Sequence, residues 1–303
     1  MFNTSDPRKD LLKNKSELSI FNEAHLGKFY EETPTLSDGE EKTWVHRGQN
    51  FYVLYSECKN GVTITRSEQL DEYAIISPNK NAHFTIEWQQ TITEVRGEKV
   101  IFVPPGESVI NFLDDSNIVR LITTINKDLN EVTVNNQSYN TAHHHIPPFQ
   151  SWPDPVDGYK VRVYDLNVAP DGNRFGTIYR GTTFMINALD PLEGPRDPKK
   201  LSPHSHEDFQ QCSLAVEGEF LHHLRWPWTE NKNNWQEDQH ELVHSPSITV
   251  IPPGVIHTTE AVGERLNRLI DIFCPPRIDF SKKNGWVLNA DEYPLPEGDD
   301  KDE

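Results

Sequence analysis

The chain has 303 residues, enough for about two domains that each bury a core. Its formal net charge of -18, from 47 acidic against 29 basic side chains, argues against a nucleic-acid or anionic-membrane partner, because phosphate binding needs clustered Lys and Arg. No run approaches the roughly 18 apolar residues of a membrane span, the first ten residues hold no apolar signal segment, and three cysteines (Cys58, Cys212, Cys274) are too few for a disulfide framework, so a cytoplasmic protein is the expectation.

Residues 1–40 are polar and read as an arm, with a short helix predicted around 17–30 that packs on a barrel or on a partner subunit. From 41 to 140, short runs rich in Val, Ile, Thr and aromatics, such as Asn50 to Tyr55, Gly61 to Thr65 and Lys99 to Val103, predict strands separated by turns. Residues 141–156 carry His143, His144, His145 and a Pro-Pro pair. They read as a linker, since consecutive residues of an extended chain cannot all face one ion. Strands resume from 157 to 290, for example Tyr159 to Tyr164 and Ser247 to Ile251, and residues 291–303 form an acidic tail. With 22 prolines and 16 glycines punctuating these runs, an all-β chain follows.

The two strand-rich regions share a pattern. Phe102-Val-Pro-Pro-Gly106 followed by Arg120-Leu-Ile recurs as Val250-Ile-Pro-Pro-Gly254 followed by Arg268-Leu-Ile, with 14 residues from glycine to arginine in both copies. Such a period indicates two homologous domains rather than a solenoid.

Chemistry concentrates in the second copy. His204-Ser-His206 places two imidazoles two residues apart, which in a strand project to the same side. Gln211, Gly218 in Val216-Glu-Gly-Glu219 and His257 after Pro252-Pro-Gly254 complete the pattern. Imidazole is the commonest metal ligand near neutral pH, so His204, His206, Gln211 and His257 are the candidate metal ligands. Gln210 takes the place of Gln211 if the strand is shifted by one residue, because a register slip flips every side chain.

These residues resemble the two cupin signatures. His204, His206, Gln211 and Gly218 match the first, with glutamine where the family has glutamate, and Pro252, Gly254 and His257 match the second. The family's leading glycines are replaced by Pro198 and Pro246, and Ala261 stands where asparagine is usual; none of these is a ligand. The resemblance spans roughly 41–290 and implies a bicupin: two jelly-roll barrels in tandem, an amino-terminal one without metal at 41–140 and a metal-binding one at 157–290. Val109 aligns with His257 in the first copy, and no H-x-H precedes it.

The resemblance implies a divalent metal ion, with iron(II) suited to oxygen activation and manganese, nickel or zinc to Lewis-acid isomerisation. An all-neutral ligand set leaves the ion its full charge and favours a small anionic, chelating substrate. A dioxygenase is the leading expectation, a keto-uronate type isomerase or lyase the second, and a non-catalytic metal-stabilised bicupin the third. Arg225 is a weak substrate-binding candidate, should its guanidinium point inward, and His223 another. His223, Glu217 and Glu260 are weak acid/base candidates for the isomerase. The sequence does not fix the oligomer, although bicupins often pair through their barrels and the resemblance is compatible with a homodimer.

Overall fold

The structure is a computed structural model and describes residues 20–143 and 145–296. Residues 297–303 of the expected tail, His144 and residues 17–19 of the expected helix lie outside the described residues. The amino-terminal half holds β1 (His25–Lys28), β2 (Leu36–Ser37), β3 (Glu41–Arg47), β4 (Phe51–Cys58), β5 (Thr63–Gln69), β6 (Tyr73–Ser77) and β7 (His83–Trp88). It continues through β8 (Thr91–Arg96), β9 (Lys99–Val103), β10 (Gly106–Phe112) and β11 (Ser116–Thr123). After two short 3-10 turns come β12 (Arg162–Asp165), β13 (Thr177–Arg180), β14 (Met185–Ala188), β15 (Leu192–Glu193), β16 (Gln211–Glu217) and β17 (Glu219–Arg225). The last strands are β18 (Gln239–His244), β19 (Ser247–Ile251), β20 (Ile256–Ala261) and β21 (Leu266–Phe273), followed by α1 (Ile278–Ser281).

The architecture is all-β, two jelly-roll barrels in tandem. The first pairs a seven-stranded sheet in the order β12-β9-β6-β11-β4-β3-β2 with a four-stranded sheet, β5-β10-β7-β8. The second pairs a sheet in the order β1-β19-β16-β21-β14-β13, with β15 beside β21, with a three-stranded sheet, β18-β17-β20.

Two strands cross between the barrels. β1 lies where a helix was expected; it pairs antiparallel with β19 of the second barrel, His25 opposite Val250, so cross-strand pairing overrides local helix propensity. β12, in the stretch expected to open the second barrel, pairs instead with β9 of the first, Arg162 opposite Phe102. Each barrel thereby covers an edge of the other's large sheet, which leaves fewer unpaired backbone groups at the sheet margins.

The large sheets pack face to face. Phe29, Trp44, Val53, Tyr55, Ala74, Ile76 and Phe102 from one side meet Ile186, Cys212, Leu214, Ile248, Val250, Ile270 and Ile272 from the other in a single buried cluster. The apolar face of the second barrel's large sheet therefore points at the first barrel. The alternate residues of the same strands must face the barrel interior.

Two carboxyls strengthen this arrangement. Glu72, at the mouth of β6 and fully buried, accepts from the Thr182 backbone N–H at 2.7 Å and the Tyr293 hydroxyl at 2.9 Å, joining the two halves. Asp71 accepts from Thr123 and Asn126 within the first barrel. No helix among the described residues is long and apolar enough to cross a membrane.

Candidate metal centre

The two histidine motifs are zipped together by backbone. His204 and His257 form an isolated antiparallel bridge, with His204 N–H to His257 O at 3.0 Å and His257 N–H to His204 O at 2.8 Å. Gly254, at a positive φ of 74°, donates its N–H to His206 O at 2.6 Å. Glycine takes that left-handed conformation without a Cβ penalty, which lets the Pro-Pro-Gly turn dock on the H-x-H segment. That segment is a bridge and a loop, not the strand expected from the spacing; β16 begins only at Gln211.

The docking gathers His204, His206 and His257 so that one ligand nitrogen from each lies within 4.8 Å of the others. Among the described residues they are the one such group of three or more histidine, cysteine or carboxylate side chains. His204 is exposed, His206 half-buried and His257 buried, which sets the cluster at the barrel mouth.

Two of the imidazoles, His204 and His257, are held with one ring nitrogen free. His204 Nδ1 lies 2.9 Å from Ser202 O and His257 Nδ1 2.9 Å from Val255 O. A carbonyl can only accept, so each Nδ1 carries the proton and each Nε2 keeps its lone pair. His257 Nε2 is buried and has no hydrogen-bond partner, which is unusual for a buried polar atom. Burial, reinforced by the neighbouring cations and imidazoles, holds His206 down to about 3, and burial holds His257 down to about 4, so both rings are neutral near pH 7. Phe209 stacks on His206 with ring centroids 4.4 Å apart and fixes its plane.

Gln211 and Gln210 take separate paths. Gln211 is buried, with Oε1 3.2 Å from His206 Nε2, and its Nε2 donates to Ser213 Oγ at 3.2 Å and Asp271 Oδ1 at 3.1 Å. Those acceptors turn the carboxamide oxygen toward the histidines. Gln210 faces the other way, accepting from the Gln49 N–H and donating to Tyr139 OH. Its role is to tie the barrels together.

Asp271 sits behind Gln211. Burial pushes its carboxyl up to about 6, against the opposing effect of the Ser213 hydroxyl, which donates to it at 2.7 Å. No spacing in the sequence pointed to Asp271, since β21 reads there as a continuous apolar strand interrupted once.

Arg225 and His223 do not enter the interior. Alternation along β17 turns His222 and Leu224 inward and His223 and Arg225 outward. Arg225 is exposed and forks onto Asp238 with both Nε and Nη2, and His223 bridges His240 at 2.7 Å and Glu260 at 3.2 Å. Both side chains lie on the outward side of β17, where with Pro203, Asp238 and His240 they line a surface cavity that also reaches His257. Glu217 is likewise drawn outward to Arg268. His222, one position earlier, is the inward residue, buried and bonded through Nδ1 to Thr259 Oγ1 at 2.9 Å.

In the first barrel the corresponding positions are closed. Tyr73 opposes Val103 as Gln211 opposes Ile251, so Tyr73 stands at the Gln211 position. Its hydroxyl meets Ser108 Oγ at 2.9 Å, and both groups are buried. Ser108, not Val109, takes the inward place of His257. A register shift between Gly106 and Ser108 moves the facing by one residue, which a count along the sequence cannot detect.

No family model matches the chain, and no curated protein matches it. Among solved structures it is similar to an oxalate decarboxylase from Lactobacillus farciminis, at 13% identity and TM-score 0.55, covering 83% of this chain and 86% of that one. It is also similar to AerE from Microcystis aeruginosa, at 14% identity and TM-score 0.52, covering 85% and 99%. A third similar structure is the Bacillus subtilis oxalate decarboxylase described by its Mn(II) centres, at 12% identity and TM-score 0.54, covering 89% and 83%. At such identities the likeness concerns the fold alone, two jelly-roll barrels in tandem.

Proposed function

We propose that the chain is a metal-dependent enzyme in which His204, His206, His257 and the Gln211 carboxamide hold a divalent ion in the carboxyl-terminal barrel, and that it acts on a small, oxygen-rich anionic metabolite. The observation that carries this reading is the convergence of three imidazoles within 4.8 Å, with the orphaned Nε2 of His257 among them. A divalent ion held there supplies Lewis acidity and, as iron(II), the capacity for oxygen activation.

The chain's own residues then set the chemistry. A ligand set without a carboxylate leaves the site strongly positive, which favours a substrate that presents two oxygens, at least one of them anionic. Asp271 and Ser213 hold Gln211 by its amide nitrogen, so its oxygen cannot rotate away. An iron(II) dioxygenase is the leading reading, because it needs no general base beyond this shell.

Isomerisation or lyase chemistry is the second reading, and a specific observation favours it. Inside the barrel, burial raises the Asp271 carboxyl to about 6, so a group able to hold or release a proton near neutral pH lies on the interior wall. Manganese, nickel or zinc suits that reaction, and the Mn(II) centres named for the Bacillus subtilis protein support a divalent ion without singling out iron.

Metal analysis of protein purified without added ions, followed by oxygen uptake with diketones, catechols and keto-uronates, tests the proposal. Stoichiometric metal with oxygen consumption that is lost in His257→Ala supports the dioxygenase. Metal-dependent turnover without oxygen consumption supports the isomerase or lyase, and bound metal without any turnover supports a binding protein. Absence of metal removes all three.

A further inference from the structure

We propose that a cross-strand row of four polar side chains, Asn187, Asp271, Ser213 and Thr249, faced by His222, is the wall that selects the substrate, and that the substrate is a hydroxylated 2-oxo acid. The row is defined by register. Asn187 opposes Asp271, Asp271 opposes Ser213, and Ser213 opposes Thr249, across β14, β21, β16 and β19. Their strand neighbours Ile186, Ile270, Ile272, Cys212, Leu214, Ile248 and Val250 pack against the first barrel, so the row points into the second.

The row touches the metal centre through Gln211, whose oxygen faces His206 and whose nitrogen meets Asp271. Asp271 and Ser213 are satisfied by these bonds and act as positioning residues. Asn187 and Thr249 are different: both are fully buried, and Asn187 Oδ1, Asn187 Nδ2 and Thr249 Oγ1 meet no hydrogen-bond partner. His222 Nε2 is also buried and unpartnered, on the strand that opposes Thr259, two residues from His257 and on the same face. Buried polar atoms are nearly always paired, because leaving one unpaired costs roughly 1–3 kcal/mol. Three side chains that bear this cost on two facing interior surfaces mark a place where a ligand supplies the missing bonds.

The chemistry of the wall names the ligand. Its free groups are an amide, a hydroxyl and an imidazole, which donate and accept but carry no cation. Negative charge on the ligand is therefore matched at the metal, where a carboxylate and an adjacent carbonyl can chelate. The end that reaches the row carries hydroxyl groups.

This inference rests on the metal reading above, and one experiment separates the two. Protein loaded with cobalt(II) is titrated with pyruvate, which has the chelating end alone, and with a six-carbon trihydroxy 2-oxo acid, following the visible absorption of cobalt. The wild-type chain should bind the hydroxylated acid at least about tenfold more tightly than pyruvate. Asn187→Leu and the nearly isosteric Thr249→Val should each erase most of that preference while leaving cobalt stoichiometry and pyruvate affinity unchanged. Equal affinity of the wild-type chain for both acids, or a preference kept in both variants, overturns the wall while the metal reading stands. Failure to take up cobalt overturns the metal reading, and the wall with it.

Discussion

The same four positions differ completely between the two barrels. In the second they are Asn187, Asp271, Ser213 and Thr249; in the first, aligned through the matching pairs of β6 with β9 and β11 and of β11 with β4, they are Leu54, Arg120, Ile75 and Ile101. Leu54, Ile75 and Ile101 belong to a dry interior with Val45, Tyr52, Phe84, Ile86, Ile110 and Phe112. Arg120 is the exception, buried and bonded to Ser56. A barrel that only has to stand fills its centre with aliphatic side chains at close packing. A barrel that keeps an unpaired amide and an unpaired hydroxyl at those places gives up stability, and the proposed substrate wall would account for that cost.

The contrast can be broken from the first barrel. Ile75→Ser removes fully buried aliphatic volume and buries a hydroxyl, so unfolding by urea should show a loss of about 4 kcal/mol, whereas Ser213 is native at the matching position. A loss below about 1 kcal/mol would mean that the two interiors are equivalent after all.

From the second barrel, His257→Ala should weaken divalent-metal affinity at least about a hundredfold, roughly 2.7 kcal/mol, measured by competition with a chromophoric chelator. The paired change Ser108→Ala in the first barrel should leave metal content untouched. Metal that stays with His257→Ala but leaves with Ser108→Ala would reverse the assignment of the two barrels.

Glu72 sharpens the comparison at the seam between them. Burial pushes its carboxyl up to about 7 from 4.5, partly offset by the Thr182 and Tyr293 bonds. The folded chain therefore keeps this proton at pH values where the unfolded chain has lost it. Stability from this group is complete below about 4.5 and is lost as pH rises through 7, on the order of 3 kcal/mol. The stability of Glu72→Gln relative to the wild-type chain should accordingly improve between pH 5 and 8, read from urea midpoints; a constant difference across that range would refute it.

The smallest effect is the most diagnostic. Thr249→Val removes a buried hydroxyl without a partner and should stabilise the protein by about 1 kcal/mol, measured without ligand. Destabilisation would show that the hydroxyl is already satisfied within the fold.

Much of the site was readable in one dimension. The H-x-H pair, Gln211 and the Pro-Pro-Gly-x-x-His run are local patterns, and the backbone bridge between His204 and His257 follows once those two segments touch. The choice of Gln211 over Gln210 was not readable, because it depends on where β16 begins and on the acceptors behind it. The direction of His223 and Arg225 was not readable for a related reason: alternation shows that neighbours diverge, but not which of them turns inward. The repeat shows the same limit. Arg120 and Arg268 share their interval from glycine, yet register sets Arg120 opposite Ile75 and Asp271 opposite Ser213, three positions from Arg268.

The order of residues thus determined an all-β chain, a duplicated strand pattern and a cluster of imidazoles in its second half. It also determined that Ser247, Thr249, Ser213 and Asn187 alternate with apolar residues, a pattern that ordinarily marks a solvent face. Tertiary structure alone decided that this polar face lies inside. The large sheet of the second barrel spends its apolar side on the first barrel, so the side that reads as wet becomes the interior lining, because which face of a strand is buried is fixed by what the sheet packs against and not by the strand itself.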